Sequence, residues 1–566
     1  MSEAAGPTGT SEPLSNPARQ AFAPTVSTVM DGANLRTVDG ARIGRVIAVS
    51  AAQVIVLMEA GAAGAVPSEA IEMGAVVKLE TRGSTVFGMV SALRVPLPSL
   101  SAPDDDLKIA EVELLGEMLA GSDDFQRGVS VFPAIEAPVY LATQDDLAQV
   151  YAPHGTASVP VGTIYQASSV PAYLRIDDLM GKHFSIVGTT GSGKSCAVAT
   201  ILRAVIEHNP NAHVMLLDPH NEYSRAFAER AVVLSPDDGL RLPYWLFNFD
   251  ELAEFVLGEE RADNEQRKIL GESVLAAKQG NFQKAGLDKS GSVDTPIPYR
   301  MSDVLTYLDR AMGALNRPES VNAFRTVKGR LTALQADARY AFVFGASLSL
   351  RDEMSEILSN LFRIPVNGKP ITILDISAVP SEVLNVVVSL VCRLVFDFAT
   401  WSETTIPITM VCEEAHRYAP ADREAGFEPA KRALARIAKE GRKYGVSLCV
   451  VTQRPSDLAS SLLSECNTMF ALRMTNHDDQ DILRDALSEA SHGLMNFLPA
   501  LRNGEAIAVG EGVSMPMRIC FAPLAEEFRP KSSTASFTAS WSQDVDDRAA
   551  VLQTVERWRR GMRHAA

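Results

Sequence analysis

Cysteine is scarce in this 566-residue chain and follows no pattern. Its six cysteines, Cys196, Cys392, Cys412, Cys449, Cys466 and Cys520, show no C-x-x-C spacing. That argues against a metal or disulfide framework and predicts buried, reduced thiols. Positive charge is not in excess either: 53 Lys and Arg against 69 Asp and Glu give a formal charge of −16. An outer surface that coats nucleic acid nonspecifically is therefore not expected, although a local basic pore is compatible with this balance. No apolar stretch reads as long enough to span a bilayer, and the first residues lack a charged start followed by an apolar core. The expectation is a cytoplasmic protein with no membrane segment.

What is present begins with Gly188-Thr189-Thr190-Gly191-Ser192-Gly193-Lys194-Ser195, a full match to the P-loop pattern. Phe184-Ser185-Ile186-Val187 reads as a buried strand running into it. Ala197, Val198, Ile201, Leu202 and Val205 follow at helical spacing. Glycines let the backbone wrap a phosphate chain, and the helix start adds its positive end. The expected nucleotide contacts are Gly188, Thr190, Gly191, Ser192, Gly193, Lys194, Ser195 and Cys196. Lys194 reaches the β- and γ-phosphates and Ser195 ligates Mg²⁺. ATP and Mg²⁺ are the expected cofactors.

The chain changes texture along its length. Residues 1–25, rich in Ala, Ser, Pro, Thr and Gly, are expected to form a disordered tail. Residues 26–165 carry short β-like runs, such as Val54-Ile55-Val56-Leu57 and Val76-Val77-Lys78-Leu79, and predict a small sandwich or barrel without visible chemistry. An assembly or docking module is the default for it. Residues 166–525 alternate strand and helix, with a helical insertion over about 250–346 in which 280–298 reads as a polar loop. Residues 526–566 form a tail with a terminal amphipathic helix.

Within the α/β region, the strand His213–Asp218 delivers the polar cluster Asp218-Pro219-His220-Asn221-Glu222-Tyr223 at its carboxyl end, where open α/β sheets bind ligands. Asp218 and His220 fit either a site or a turn cap. The apolar run Ile406–Cys412 ends in Glu413-Glu414, the arrangement of a Walker B strand. Glu413 is assigned to Mg²⁺ and Glu414 to the attacking water as catalytic base. The basic helix 431–444 leads into the strand Val446–Thr452, which ends at Gln453, placed to meet the γ-phosphate or the water. Arg442, at the end of that helix, is the candidate arginine finger acting on a neighbouring subunit. The bland alternative for Arg442 is a helix cap or a pair with Glu440. Spacing alone leads to a RecA-like P-loop ATPase.

Four stretches in this order after the P-loop add a resemblance: Asp218-Pro219-His220-x-Glu222-Tyr223, Glu413-Glu414-Ala415-His416, Gly441-Arg442-Lys443-Tyr444-Gly445 and Thr452-Gln453-Arg454-Pro455-Ser456. Together with Cys466-Asn467-Thr468 and Gly504-Glu505-Ala506, they resemble the HerA family of hexameric DNA-translocating ATPases, relatives of FtsK, over about residues 26–525. The resemblance implies an N-terminal HAS barrel and a homo-hexamer with double-stranded DNA in its central pore. It also implies Mg²⁺-ATP between subunits and a partner nuclease of the NurA kind or another effector, in DNA end processing or anti-phage defence. Asn221 stands where that family often has Gly. Two other classes fit a RecA-like ring: an ATP-regulated scaffold that recruits an effector, and a secretion or conjugation motor.

Overall fold

The computed structural model describes residues 41–59, 71–95, 108–122, 124–153, 155–258, 264–287, 290–314, 318–345, 351–403, 405–422, 425–487, 492–531, 537–542 and 548–559. The expected tail over 1–25 lies outside them.

The first β-system is β1 (Arg42–Val49), β2 (Gln53–Met58), β3 (Val76–Glu80), β4 (Ser84–Arg94), β5 (Ile109–Leu119), β6 (Phe125–Arg127) and β7 (Pro138–Leu141). Their order is β2-β1-β7-β3-β4-β5, and a β2–β5 pairing closes six of them into a barrel, with β6 added beside β5. Side chains alternate across each strand, so β2 points Val54, Val56 and Met58 inward. They meet Ile43, Val46, Leu79, Val86, Val112 and Val139 in one apolar core.

The second β-system has eleven strands: β8 (Ser158–Ile164), β9 (Ala167–Arg175), β10 (His183–Val187), β11 (Val214–Asp218), β12 (Ala231–Leu234), β13 (Ile371–Asp375), β14 (Ile408–Cys412), β15 (Val446–Thr452), β16 (Cys466–Leu472), β17 (Glu505–Gly510) and β18 (Met517–Phe521). The order is β12-β13-β11-β14-β15-β10-β16-β17-β18-β8-β9. The run from β12 to β16 is parallel, and antiparallel strands follow from β17. Helices on the faces bury both sides of the parallel part, which is why β10, β11, β13, β14 and β15 have no exposed residue. The strand 158–164, inside the stretch expected to form the barrel, instead pairs with β18. A period of two identifies a strand but not the sheet it joins.

Between β12 and β13 the chain is helical: Phe249–Leu257, Asn264–Lys284, Met301–Ala314, Pro318–Ala336, Ala341–Phe344 and Met354–Phe362. The expected loop over 280–298 begins later, because the helix runs on through Lys284. Helix Ser381–Trp401 corrects another expectation. It is long and apolar enough to cross a membrane by length and composition, yet 72% of its most apolar window is buried. Val387, Val388, Val391 and Val395 sit in the main core, each contributing about 1.5–3 kcal/mol on burial. All six cysteines are free; Cys392, Cys412 and Cys449 are buried, as expected, and Cys196 is exposed. The terminal helix spans Arg548–Arg559 and leaves Val551, Leu552 and Trp558 exposed.

Candidate active site

Four parallel strands, β11, β14, β15 and β10, lie side by side, so their carboxyl ends share one edge. The P-loop leaves β10, Gln453 follows β15, Glu413 and Glu414 follow β14, and Asp218 ends β11. Register holds these ends level: Val187 pairs with Thr452, Cys412 with Val450, and Leu217 with Cys412. β15 therefore separates the P-loop strand from the strand that carries the acids.

Gly191 (φ 75°) and Gly193 (φ 105°) adopt left-handed backbone that side chains resist. A Cβ on Gly193 would also come within 3.2 Å of the Gly504 nitrogen. The helix Lys194–His208 starts directly after Gly193 and buries Ala197, Val198, Ile201, Leu202 and Val205. Lys194 is 8% exposed, and its Nζ donates to the Thr189 carbonyl at 3.2 Å. Burial pushes its pKa below the ordinary lysine value, while Glu414, Glu413 and Glu222 oppose that shift. The Ser195 hydroxyl donates to Glu222 Oε2 at 2.7 Å.

The acids are deeply placed, with Glu413 6% and Glu414 5% exposed. Tyr223 donates its hydroxyl to Glu413 Oε1. Burial pushes Glu413 up to about 8; Glu414 and Asp218 add to that, and Tyr223 and Lys194 work against it. Asp218 accepts the backbone N–H groups of His220 (3.2 Å) and Tyr223 (3.0 Å), so its carboxylate organises the turn. That turn places Asn221 at φ 54°. Asn tolerates left-handed backbone better than most side chains, which suits this position.

Glu414 itself has φ 52°, a left-handed conformation costing about 1–2 kcal/mol for a residue with a Cβ. Its Oε1 accepts from Gln453 Nε2, and Gln453 Oε1 accepts from Thr190 Oγ1 on the P-loop. Two histidines flank the same carboxylate: His416 Nδ1 is 3.4 Å from Oε2 and His220 Nε2 is 3.9 Å from Oε1.

The fold thus gathers Gly188–Ser195, Glu413, Glu414 and Gln453 on one edge. Cys196 follows directly on the helix, with its residue exposed. Arg442 is not in this group. It lies on the 3₁₀ turn Gly441–Tyr444 before β15, whose seven residues span about 20 Å, so it sits toward the opposite edge of the sheet. Arg442 is exposed, and no carboxylate among the described residues lies within 4 Å of it, Glu440 included. Sequence reading quoted Glu222, Tyr223, His416 and Thr452 but gave them no role. The polar cluster at the end of β11 was the signal for the first two.

The cradle fits a nucleotide's phosphates. Its glycines admit close backbone approach, and the Ser192 hydroxyl is buried with no hydrogen-bond partner among the described residues. No group of three or more His, Cys, Asp or Glu suited to a metal occurs among the described residues. Mg²⁺ in nucleotide sites takes one or two protein oxygens together with substrate phosphates. The Ser195 hydroxyl, bonded to Glu222, and Glu413 are the residues assigned above to such a contact.

Residues 159–395 match the family described as "Helicase HerA, central domain". The chain is 25% identical to the DNA double-strand break repair helicase HerA of Pyrococcus furiosus, covering 83% of this chain and 91% of the relative. It is 23% identical to the protein of the same description from Sulfolobus acidocaldarius, covering 86% and 95%. Among solved structures, VirB4 of Thermoanaerobacter pseudethanolicus aligns with a TM-score of 0.47 at 16% identity, over 66% of this chain and 98% of that one. The P-loop, the acidic strand end and the barrel thus stand in a chain whose residues 159–395 match the HerA central-domain family and which is similar over most of its length to HerA helicases.

Proposed function

We propose that this protein is an ATP-hydrolysing translocase or helicase that acts on double-stranded DNA as a homo-hexameric ring. It works with a partner nuclease or another effector, in DNA end processing or in defence against phage. The observation that carries the reading is the row of P-loop, Gln453, Glu414 and Glu413 along one sheet edge. The relatives named as repair helicases extend it to DNA.

In the chemistry proposed, Glu414 takes a proton from water, whose oxygen bonds to the γ-phosphorus. The bond from the γ-phosphorus to the β–γ bridging oxygen breaks, leaving ADP and phosphate. Lys194 holds the β- and γ-phosphates, and Gln453 orients the water or the γ-phosphate. Mg²⁺, held by Ser195 and Glu413, supplies positive charge to the phosphate oxygens when bound. Arg442 completes the site of the neighbouring subunit, a reading supported by its distance from its own P-loop. The barrel serves as the docking face for the effector; exposed Val131, Phe132 and Ile135 support that use.

The test is ATPase turnover with and without duplex DNA. Wild type is expected to be stimulated, and Lys194→Ala to lose nearly all turnover. Glu414→Gln should keep ATP bound while its kcat falls about 10²–10⁴-fold. Full turnover in Glu414→Gln would remove Glu414 from the base role. A wild type indifferent to DNA and unable to displace a strand would favour the scaffold reading.

A further inference from the structure

The two oxygens of Glu414 are held by different parts of the molecule. Oε1 accepts from Gln453, which is tied through Thr190 to the loop that wraps the phosphates. Oε2 faces His416 Nδ1 at 3.4 Å, and that nitrogen lies 3.0 Å from Thr452 Oγ1. Thr452 is fully buried at the end of β15, between the strands that carry the acids and the P-loop. Its hydroxyl oxygen already accepts the Arg454 N–H at 3.1 Å. A second lone pair remains for a proton on His416 Nδ1, which Oε2 can share. The histidine is fixed on a short 3₁₀ turn, Ala415–Arg417, in which the Arg417 N–H donates to the Glu414 carbonyl at 2.9 Å. His220 differs: at 3.9 Å and half-exposed, it is no anchor for Oε1.

From this asymmetry we infer that His416, anchored by Thr452, is a positioning residue that fixes the direction of the Glu414 carboxylate through Oε2. The inference rests on Glu414 being the base. Oε1 is then the oxygen that receives the water's proton, because its partner Gln453 is the one engaged with the phosphate loop. Oε2 stays pinned to the sheet throughout. Burial keeps His416 below the ordinary histidine pKa, with Glu414 and Asp457 opposing, so a neutral ring that donates from Nδ1 fits the site.

Asparagine places its amide nitrogen near the position of Nδ1, and glutamine near that of Nε2. Steady-state ATPase of the full chain therefore separates orientation from bulk. His416→Ala should lower kcat by up to about 100-fold while KM for ATP stays unchanged. His416→Asn should recover most of that loss, and His416→Gln should not. Thr452→Val should lower kcat alone but add little in the His416→Ala background, since both act through one contact. Binding of a fluorescent ATP analogue, retained in every variant, would show that each is folded. Wild-type kcat in His416→Ala, or equal loss in the Asn and Gln variants, would overturn the inference. Glu414→Gln run beside them keeps the two readings apart. If it is inactive while His416→Ala is not, only the positioning role falls; if it is active, the base assignment itself falls.

Discussion

Two buried glutamates, one in each β-system, have opposite fates. In the barrel, Glu117 accepts from the Ser84 hydroxyl at 2.7 Å and the Ser130 N–H at 2.9 Å. Burial alone would raise its pKa, but the hydrogen bonds from Ser130 and Ser84 outweigh it and hold the carboxyl below its usual value. Glu413, in the parallel sheet, has a tyrosine hydroxyl for a donor and two further acids nearby, and stands at about 8. The barrel satisfies its buried acid from within. The ATPase edge leaves its acid less well stabilised. A buried polar group that its own chain leaves poorly stabilised marks a place where something else is to bind.

The contrast can be broken first at Arg442. If the ATPase edge is completed from outside, Arg442→Ala should lower turnover about 10³–10⁵-fold. Mixing Arg442→Ala with inactive Lys194→Ala should restore part of the activity, because some interfaces would join an intact P-loop to an intact arginine. Mixed assemblies that form yet stay inactive would place the arginine elsewhere. The barrel should behave in the opposite way. Phe132→Asp, in its exposed apolar loop, should leave ATPase turnover as in wild type while weakening effector capture at least about 30-fold, the scale of an interface hot spot. Co-purification with proteins encoded beside this one reads that out; unchanged capture would move the docking face.

The smallest effect expected is on stability. Glu117→Gln loses charge-assisted hydrogen bonds, which contribute about 1.5–3 kcal/mol each at neutral pH. The sign with pH follows from the lowered value. The unfolded chain binds the proton first as pH falls, so the stabilisation is present above about 4.5 and is lost as pH falls through the folded value. Urea midpoints of wild type and Glu117→Gln should differ at pH 7 and converge under acid conditions. A difference that persists at pH 3 would assign the loss to packing.

The P-loop was legible because its residues are contiguous and its strand and helix carry their own periodicity. Glu413, Glu414 and Gln453 were legible because each follows an apolar run that demands a buried strand. The pairs that bind these pieces together were not. Tyr223 and Glu413 are 190 positions apart, and Ser195 and Glu222 are 27 apart. They meet because the strand order β11-β14-β15-β10 departs from chain order, which no local pattern encodes. The same limit explains why β8 was read with the barrel. The length of the apolar helix Ser381–Trp401 was not legible for a different reason: Glu382, Arg393 and Asp397 interrupt its apolar run.

Side chains such as Gln166 and Arg127 join the two β-systems. Arg127, at the end of β6, donates to the carbonyls of Gly510 at the end of β17 and of Val513 and Ser514 in the turn that follows, the last at 3.0 Å. β17 pairs with β16, β16 flanks β10, and the Arg473 carbonyl just beyond β16 accepts both the N–H and the hydroxyl of Thr189 in the P-loop, each at 3.0 Å. A continuous run of hydrogen bonds thus leads from β6 of the barrel, through β17 and β16, to Thr189 in the P-loop.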